Sequence, residues 1–361
     1  MSVPLPTPTM RLAHKPAQWA VLLAGSVLLL LALEALHLPA ALLLGPMIAG
    51  IAISAAGAAL RVPNPCYLAA QALVGAMIAR ALPLSHLGDI FREWPVLLFG
   101  VGSTLLAAAS LGWLLTRWRV LPGTTAIWGS APGAASTMVV MAEAFGADVR
   151  LVAFMQYLRV MCVAGTASLI ASLVMAHGGH TPPAINWFPA FDHAGFALTL
   201  ILVLGSGFVA HRLKIPAGGL IVPMVVAGLM NNIGHHPVVL PPWLLALSYA
   251  VFGWSIGLRF TRAILLYAMR ALPRLLLSIL VLITLCAGFG ALLSQLTGID
   301  PLTAYLATSP GGADSVAIIA ASSKVDMPFV MTMQMVRFLA VTVTGPALAR
   351  FLAGKVPGSA G

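Results

Sequence analysis

The chain has 361 residues, 60% of them hydrophobic and 8% charged, where an ordinary soluble domain carries about 25% charged residues. With a mean hydropathy of +1.00, this composition excludes a soluble globular fold and predicts an all-α polytopic membrane protein. The net charge of +10 would suggest nucleic acid in a soluble chain, but here the Lys and Arg residues lie between apolar segments, where they set topology.

A short polar tail, 1–15, leads into an apolar run at 16–35. Arg11 and Lys15 before it resemble a signal peptide, yet no small-x-small site closes the run, and a matching segment recurs later. It is therefore read as the first membrane helix. Further apolar segments follow at 38–60, 65–79, 95–116, 121–142 and 151–175, then at 194–210, 215–230, 241–257, 275–296, 301–323 and 327–349. The stretches 38–60 and 95–116 are uncharged and exceed the roughly 20 residues that cross a bilayer.

Three collinear matches divide the chain. His37-Leu-Pro-Ala-Ala-Leu-Leu-Leu-Gly-Pro-Met47 returns as Lys214-Ile-Pro-Ala-Gly-Gly-Leu-Ile-Val-Pro-Met224. Ser130-Ala-Pro-Gly-Ala-Ala-Ser-Thr137 returns as Thr308-Ser-Pro-Gly-Gly-Ala-Asp-Ser315, and Met155-Gln-Tyr-Leu-Arg159 as Met333-Gln-Met-Val-Arg337. The predicted organisation is one membrane repeat at 16–175, a linker at 176–192, a second repeat at 193–352 and a tail at 353–361.

Lys and Arg concentrate in cytoplasmic loops, so they test how often each repeat crosses. If all six segments cross from a cytoplasmic N-terminus, seven basic residues lie inside and ten outside. If the fifth segment of each repeat returns to its side of entry, fourteen lie inside and Arg80, Arg92 and Lys324 remain outside. The second arrangement is favoured: five crossings per repeat, with the second repeat inverted, as in many secondary transporters. A multi-pass protein of a bacterial-type inner membrane is expected.

The fifth segments carry Pro132-Gly133 and Pro310-Gly311 at their centres, where proline removes a backbone donor and glycine weakens the helix. Ser309 before Pro310 resembles an N-cap with proline at the first helical position, and a half-helix starting there would aim partial positive charge into the protein. Gly312 lies in the same motif, and the hydroxyls of Ser130, Ser136, Thr137, Thr308 and Ser315 cluster nearby. Arg159 and Arg337 follow on the sixth segments, each three residues after a glutamine, Gln156 and Gln334, and so on the same helical face. A guanidinium at membrane depth costs about 3 kcal/mol or more and needs a partner or a cavity. Two readings stand open: the pair holds an anionic or polar solute between the repeats, or each arginine satisfies broken-helix carbonyls or pairs with Asp314 or Glu143 as scaffold.

Asp314 is read either as a proton or sodium site or as a salt-bridge partner. Glu34 and Glu143 fall near segment ends and read as interfacial. His177 and His180 in the linker, with His235 and His236 after the eighth segment, could in principle offer four nitrogens, but their loose spacing favours a solvated surface. Cys66, Cys162 and Cys286 read as packing residues. No catalytic, metal or cofactor site is predicted.

The duplicated Pro-Ala and Pro-Met pattern, the Ser-Ala-Pro-Gly-Ala and Ser-Pro-Gly-Gly-Ala-Asp motifs and the Gln-x-x-Arg repeats resemble the AbrB-type family of membrane proteins. That family is labelled as regulator of gene expression or as ammonia monooxygenase, and is grouped with cation/proton antiporters and anion transporters. The chain contains no polar module long enough to read DNA, so direct nucleic-acid binding is not expected and regulation would act through a solute. The expected function is a secondary transporter or exporter of a small polar or anionic metabolite, with the lipid bilayer, a coupling proton or sodium ion and a second copy of the chain as its candidate partners; the alternative is a membrane sensor that affects gene expression indirectly. From the broken segments and the Gln-x-x-Arg motifs, the candidate substrate site comprises Ser130, Pro132, Gly133, Ser136, Gln156, Arg159, Ser309, Gly311, Gly312, Asp314, Gln334 and Arg337.

Overall fold

A computed structural model describes residues 15–36, 38, 40–80, 94–118, 121, 124–131, 142, 147–177, 186–215, 218–232, 237–269 and 271–354, with 175–177, 314, 342, 343, 345, 346 and 348–354 described through their main chain alone. The described residues form helices and connections, with no strand among them. In the first half these are α1 (Lys15–Ala35), α2 (Ala41–Ala55), α3 (Asn64–Arg80), α4 (Trp94–Arg117), α5 (Thr125–Ser130) and α6 (Val149–His177). The second half has α7 (His193–Arg212), α8 (Gly218–Asn232), α9 (Pro242–Gly257), α10 (Arg262–Ala268), α11 (Leu272–Thr297), α12 (Pro301–Thr308), α13 (Ala313–Ala321) and α14 (Met327–Gly354). The starts of α1 to α6 recur 176 to 178 residues later as those of α7, α8, α9, α11, α12 and α14. The repeat seen in three short motifs therefore extends to the helix boundaries.

Among the described residues five helices, α1, α4, α6, α7 and α11, are long and apolar enough to cross a membrane, and α9 with α10, bent by 53°, is long and apolar enough when taken together. Segment 38–60 is the clearest departure from its predicted length. Its helix, α2, has 15 residues, about 22 Å at 1.5 Å per residue. Left-handed backbone at Ala40 (φ 59°) precedes it and Gly57 (φ 101°) follows it. Leu43, Met47 and Ile53 are buried within the protein, so protein neighbours cover much of this short helix.

The helices gather into two bodies. Helices α1–α3 pack with α7–α9, and α4–α6 pack with α11–α14; α3 against α13 and α6 against α10 connect the two. In the first body the repeats exchange partners, with α3 lying on α8 and α9 on α2. These helices approach through missing side chains, as is usual for membrane helices. A Cβ on Gly253 would sit 2.5 Å from the Leu43 carbonyl oxygen, and one on the equivalent Gly75 would overlap that of Leu220. Trp254 Nε1 donates to Ser26 Oγ at 2.9 Å, joining α9 to α1.

Both fifth segments are interrupted, and both return to where they began. Asp300 caps α12 by accepting from Thr303 N at 2.9 Å. The helix stops at Ser309, and the chain resumes helicity at Ala313 after Pro310-Gly311-Gly312. This corrects the expected helix start: Ser309 is a C-cap, its hydroxyl donates back to Leu306 O at 3.1 Å, and Gly312 is the N-cap. The cause is local: proline favours extended backbone at the residue before it, which ends α12 at Ser309 (ψ 136°), and the weak helix formers Gly311-Gly312 delay the restart to Ala313. Beyond α13, Asp326 N donates to Thr303 Oγ1 at 3.1 Å. In the first half Asp148 N donates to Thr125 Oγ1 at 3.0 Å. Each hydrogen bond holds the beginning of a broken segment to the residue just beyond its end.

Candidate functional site

The site is built at the breaks. Where α5 and α12 stop, their last carbonyls have no helical partner, and the glutamine and arginine of the following long helix supply one. Gln156 Nε2 donates to the carbonyls of Trp128 and Ala131, both at 3.0 Å. Arg159 donates to Ser130 O at 3.2 Å and Ala131 O at 3.0 Å, and its other terminal nitrogen donates to Gln156 Oε1 at 2.9 Å. The second half repeats the arrangement. Gln334 Nε2 donates to Leu306 O at 2.8 Å and Ser309 O at 3.3 Å. Arg337 donates to the carbonyls of Ser309 and Gly311 and to Gln334 Oε1.

Of the two readings left open for these arginines, this geometry supports the scaffold through carbonyl capping. Pairing with Asp314 or Glu143 falls outside the described residues, because the Asp314 side chain and all of Glu143 are not described. Both terminal nitrogens of each arginine are engaged, whereas the Nε is not. Arg159 and Arg337 are 3% and 4% exposed, and the Nε of each is buried without a hydrogen-bond partner among the described residues. Such an orphan donor is expensive at depth.

Both arginines line a cavity of about 600 Å³ between the two bodies. Gln156, Gln334, Gly311, Gly312 and Ser315 also line it. Helix α13 begins at this wall, and Gly312 gives it no side-chain cap, so its first amides face the cavity with partial positive charge. Toward the mouth the lining adds His211, Lys214 and Arg259, and none of the described lining residues is acidic. Such a basic concavity attracts anions.

The remaining predicted residues divide. Ser130 and Ser309 are buried, and their hydroxyls donate to carbonyls of their own helices, so they contribute carbonyls to the arginines rather than hydroxyls to the cavity. Thr308 Oγ1 bridges to Cys286 O at 3.1 Å. Pro132, Gly133 and Ser136 lie outside the described residues, as do His180, His235 and His236. Among the described residues no group of three or more His, Cys, Asp or Glu could hold a metal.

Two features escape the sequence reading. One is the Thr–Asp pairing that closes each broken segment, signalled by aspartates 178 residues apart just before α6 and α14. The other is Arg259, whose guanidinium lies 4.6 Å from the centre of the Tyr157 ring at the cavity mouth.

The family model described as transition state regulatory protein AbrB matches residues 42–353. A protein of Escherichia coli (strain K12), provisionally named regulator AbrB, is 47% identical over 344 residues, covering 94% of this chain and 98% of that one. The uncharacterized protein YhjN of Bacillus subtilis (strain 168) is 28% identical over 302 residues, 78% of this chain and 77% of its own. The match spans both repeats and both arginine-capped breaks, and the chain belongs to the AbrB family of membrane proteins.

Proposed function

We propose that this protein is a secondary transporter of a small organic anion, bound between the two bodies at the start of α13. The observation that carries this reading is the cavity lined by Arg159 and Arg337, each with a buried unpartnered Nε, beside an uncapped helix start. Interrupted backbone is tolerated at membrane depth where protein buries it or a watery cavity receives it, and transporters bind substrate at such breaks.

Two contacts support inverted repeats. The Thr–Asp hydrogen bonds bring each broken segment back to its start. Arg61, Arg259 and Arg262 line one cavity, whereas six crossings per repeat would put Arg61 on the opposite side from the other two. Five crossings place all three in the cytoplasm. The cavity at the breaks, with Lys214 and Arg259 at its mouth, then opens inward. The regulator name borne by the Escherichia coli relative fits a protein that alters the concentration of a signalling solute.

The test is flux in proteoliposomes with a panel of radiolabelled small carboxylates, with and without an imposed proton gradient. Saturable, protein-dependent flux is expected for at least one of them, and it is abolished by Gly312→Val. Gly312 has backbone any residue adopts (φ −75°, ψ 142°), and a Cβ there meets its nearest neighbour at 3.7 Å. The valine thus fills cavity space while leaving both arginine caps in place. A folded wild-type protein that moves nothing on the panel would remove the transport reading and leave a solute sensor.

A further inference from the structure

The two arginines come from equivalent places in the repeats, but the wall that the other body presents to the same cavity breaks the symmetry. Leu68, Gln71 and Gly75 lie three and four residues apart on α3 and so share one face of it, and all three meet α8 at Gly219 or Leu220. A Cβ on Gly219 would lie 2.6 Å from Gln71 Oε1 and 3.3 Å from Leu68 Cδ2, so the missing side chain leaves a notch that the Gln71 carboxamide fills. Gln71 and Gly219 both line the cavity at the breaks. In the register that pairs Gly75 with Gly253, the counterpart of Gln71 is Tyr249, and that of Gly219 is Leu42. Tyr249 is buried and its hydroxyl donates to Met77 Sδ at 2.7 Å, and neither it nor Leu42 lines the cavity. The Gln71 amide is half-buried and only partly used. Its Nε2 donates to Tyr67 Oη at 3.4 Å, and no described residue donates to its Oε1.

We infer that Gln71, seated against Gly219, reads a hydroxyl on the substrate, so that the site takes a small hydroxycarboxylate in preference to the same carboxylate without the hydroxyl. The inference deepens the transport reading and rests on it for the anion site at Arg159 and Arg337. Two arginines related by the repeat suit the charged end of a ligand, whereas an amide present on one side only suits a group that the ligand carries once. That group must supply a hydrogen to Oε1, because an amide oxygen only accepts. An ammonium could supply one, but it would share the cavity with Arg159, Arg337, Lys214 and Arg259, and like charges repel. A hydroxyl donates without charge. An amide oxygen that is covered by a ligand and given no donor loses hydration and regains nothing, which is how sites built around a hydrogen bond reject the analogue that lacks it. Glycine at 219, where the first repeat has Leu42, is what admits the amide.

The experiment is equilibrium binding to the full-length protein in phosphatidylcholine nanodiscs, with radiolabelled pairs that differ by one hydroxyl: L-lactate against propionate, and L-malate against succinate. The wild type is expected to bind the hydroxylated member of at least one pair about tenfold more tightly, the ratio that one net hydrogen bond gives. Gln71→Leu, which keeps much of the side chain's length and removes the amide, is expected to bring that ratio near unity. Gly219→Ala retains Gln71 but displaces its carboxamide, and it should lower the ratio in the same way. The double change should go no further than Gln71→Leu alone, because both act on one contact. Propionate and succinate also report that each variant is folded, since they carry the carboxylate and nothing for the amide to read. A hydroxyl preference that persists in Gln71→Leu overturns the inference and leaves the anion site standing, as does equal binding of both members of each pair by the wild type. Additive losses in the double change overturn the notch at Gly219 as the seat of the amide. If no carboxylate of either pair binds, or if Gly312→Val leaves their binding intact, the anion site at the breaks falls and this inference falls with it.

Discussion

A cation inside a membrane protein invites a ligand, yet here most of its bonding capacity goes to main-chain carbonyls. Hydrogen bonds from charged donors contribute about 1.5–3 kcal/mol each, and Arg337 makes three. Arg337→Gln is therefore expected to lose monodisperse protein after detergent extraction and to lower the unfolding temperature of what remains. Arg159→Gln is expected to do the same. Adding Asp314→Asn to Arg337→Gln should not restore folding, because the lost partners are the carbonyls of Ser309 and Gly311; rescue would instead make the Asp314 carboxylate the main partner. The Gln-x-x-Arg spacing was legible because residues three apart share a helix face and because the pair occurs twice. The sequence named broken-helix carbonyls as one target and a solute as the other, and it left the choice and the particular carbonyls open, since a carbonyl at a helix end belongs to whichever residue the break exposes. The N-cap expected at Ser309 failed for a related reason: serine before proline fits both a helix start and a helix stop, and Gly311-Gly312 shifted the restart by three residues.

Among the elements, the close crossings of α3 on α8 and α9 on α2 leave no room for a methyl group at Gly75 or Gly253, where a Cβ would meet a main-chain carbonyl. Overpacking of this kind costs about 1–3 kcal/mol. Gly75→Ala and Gly253→Ala should each lower the thermal unfolding midpoint in detergent by several degrees, whereas Gly102→Ala, at a position with no atom within 4 Å of its Cβ, should leave it unchanged. The Thr–Asp closures are a second element-scale device. Thr303→Val removes the acceptor for Asp326 N at nearly constant volume, with an expected cost of about 1 kcal/mol, read as faster proteolysis between α13 and α14. The long spans were legible to within a few residues because each is a sustained apolar run. Helix α10 was not, for seven residues give too short a pattern to separate a helix from a loop, and the shortness of α2 was hidden because an uncharged run records apolarity rather than where the backbone turns.

For the whole molecule, the two bodies and their sidedness make the strongest demand on the repeats. Labelling Arg150→Cys and Arg262→Cys from the cytoplasm, in a background carrying Cys66→Ser, is expected to succeed, and His177→Cys and His235→Cys should label from outside. Finding His177→Cys on the same side as Arg150→Cys would defeat the five-crossing topology. The distribution of basic residues is what points to this arrangement, and the labels test it. The division into α1–α3 with α7–α9 and α4–α6 with α11–α14 was not legible, because it depends on which buried faces match across nearly two hundred residues of chain.

The exchange of partners between repeats also constrains the order in which the protein is made. When α3 has left the ribosome, the α8 surface that fits against Gly75 does not yet exist, and α2 waits in the same way for α9. Nor can α6 meet α13 until nearly all of the chain has been synthesised. The first repeat must therefore reside in the bilayer as an unfinished surface, held by its own α1–α2 and α4–α5–α6 contacts, until its complement arrives. A gene divided within codons 178–185 should yield two fragments that are each degraded when made alone and that assemble into protease-resistant protein when made together. Accumulation of the first fragment by itself, with native resistance, would mean that the repeats fold independently before they join.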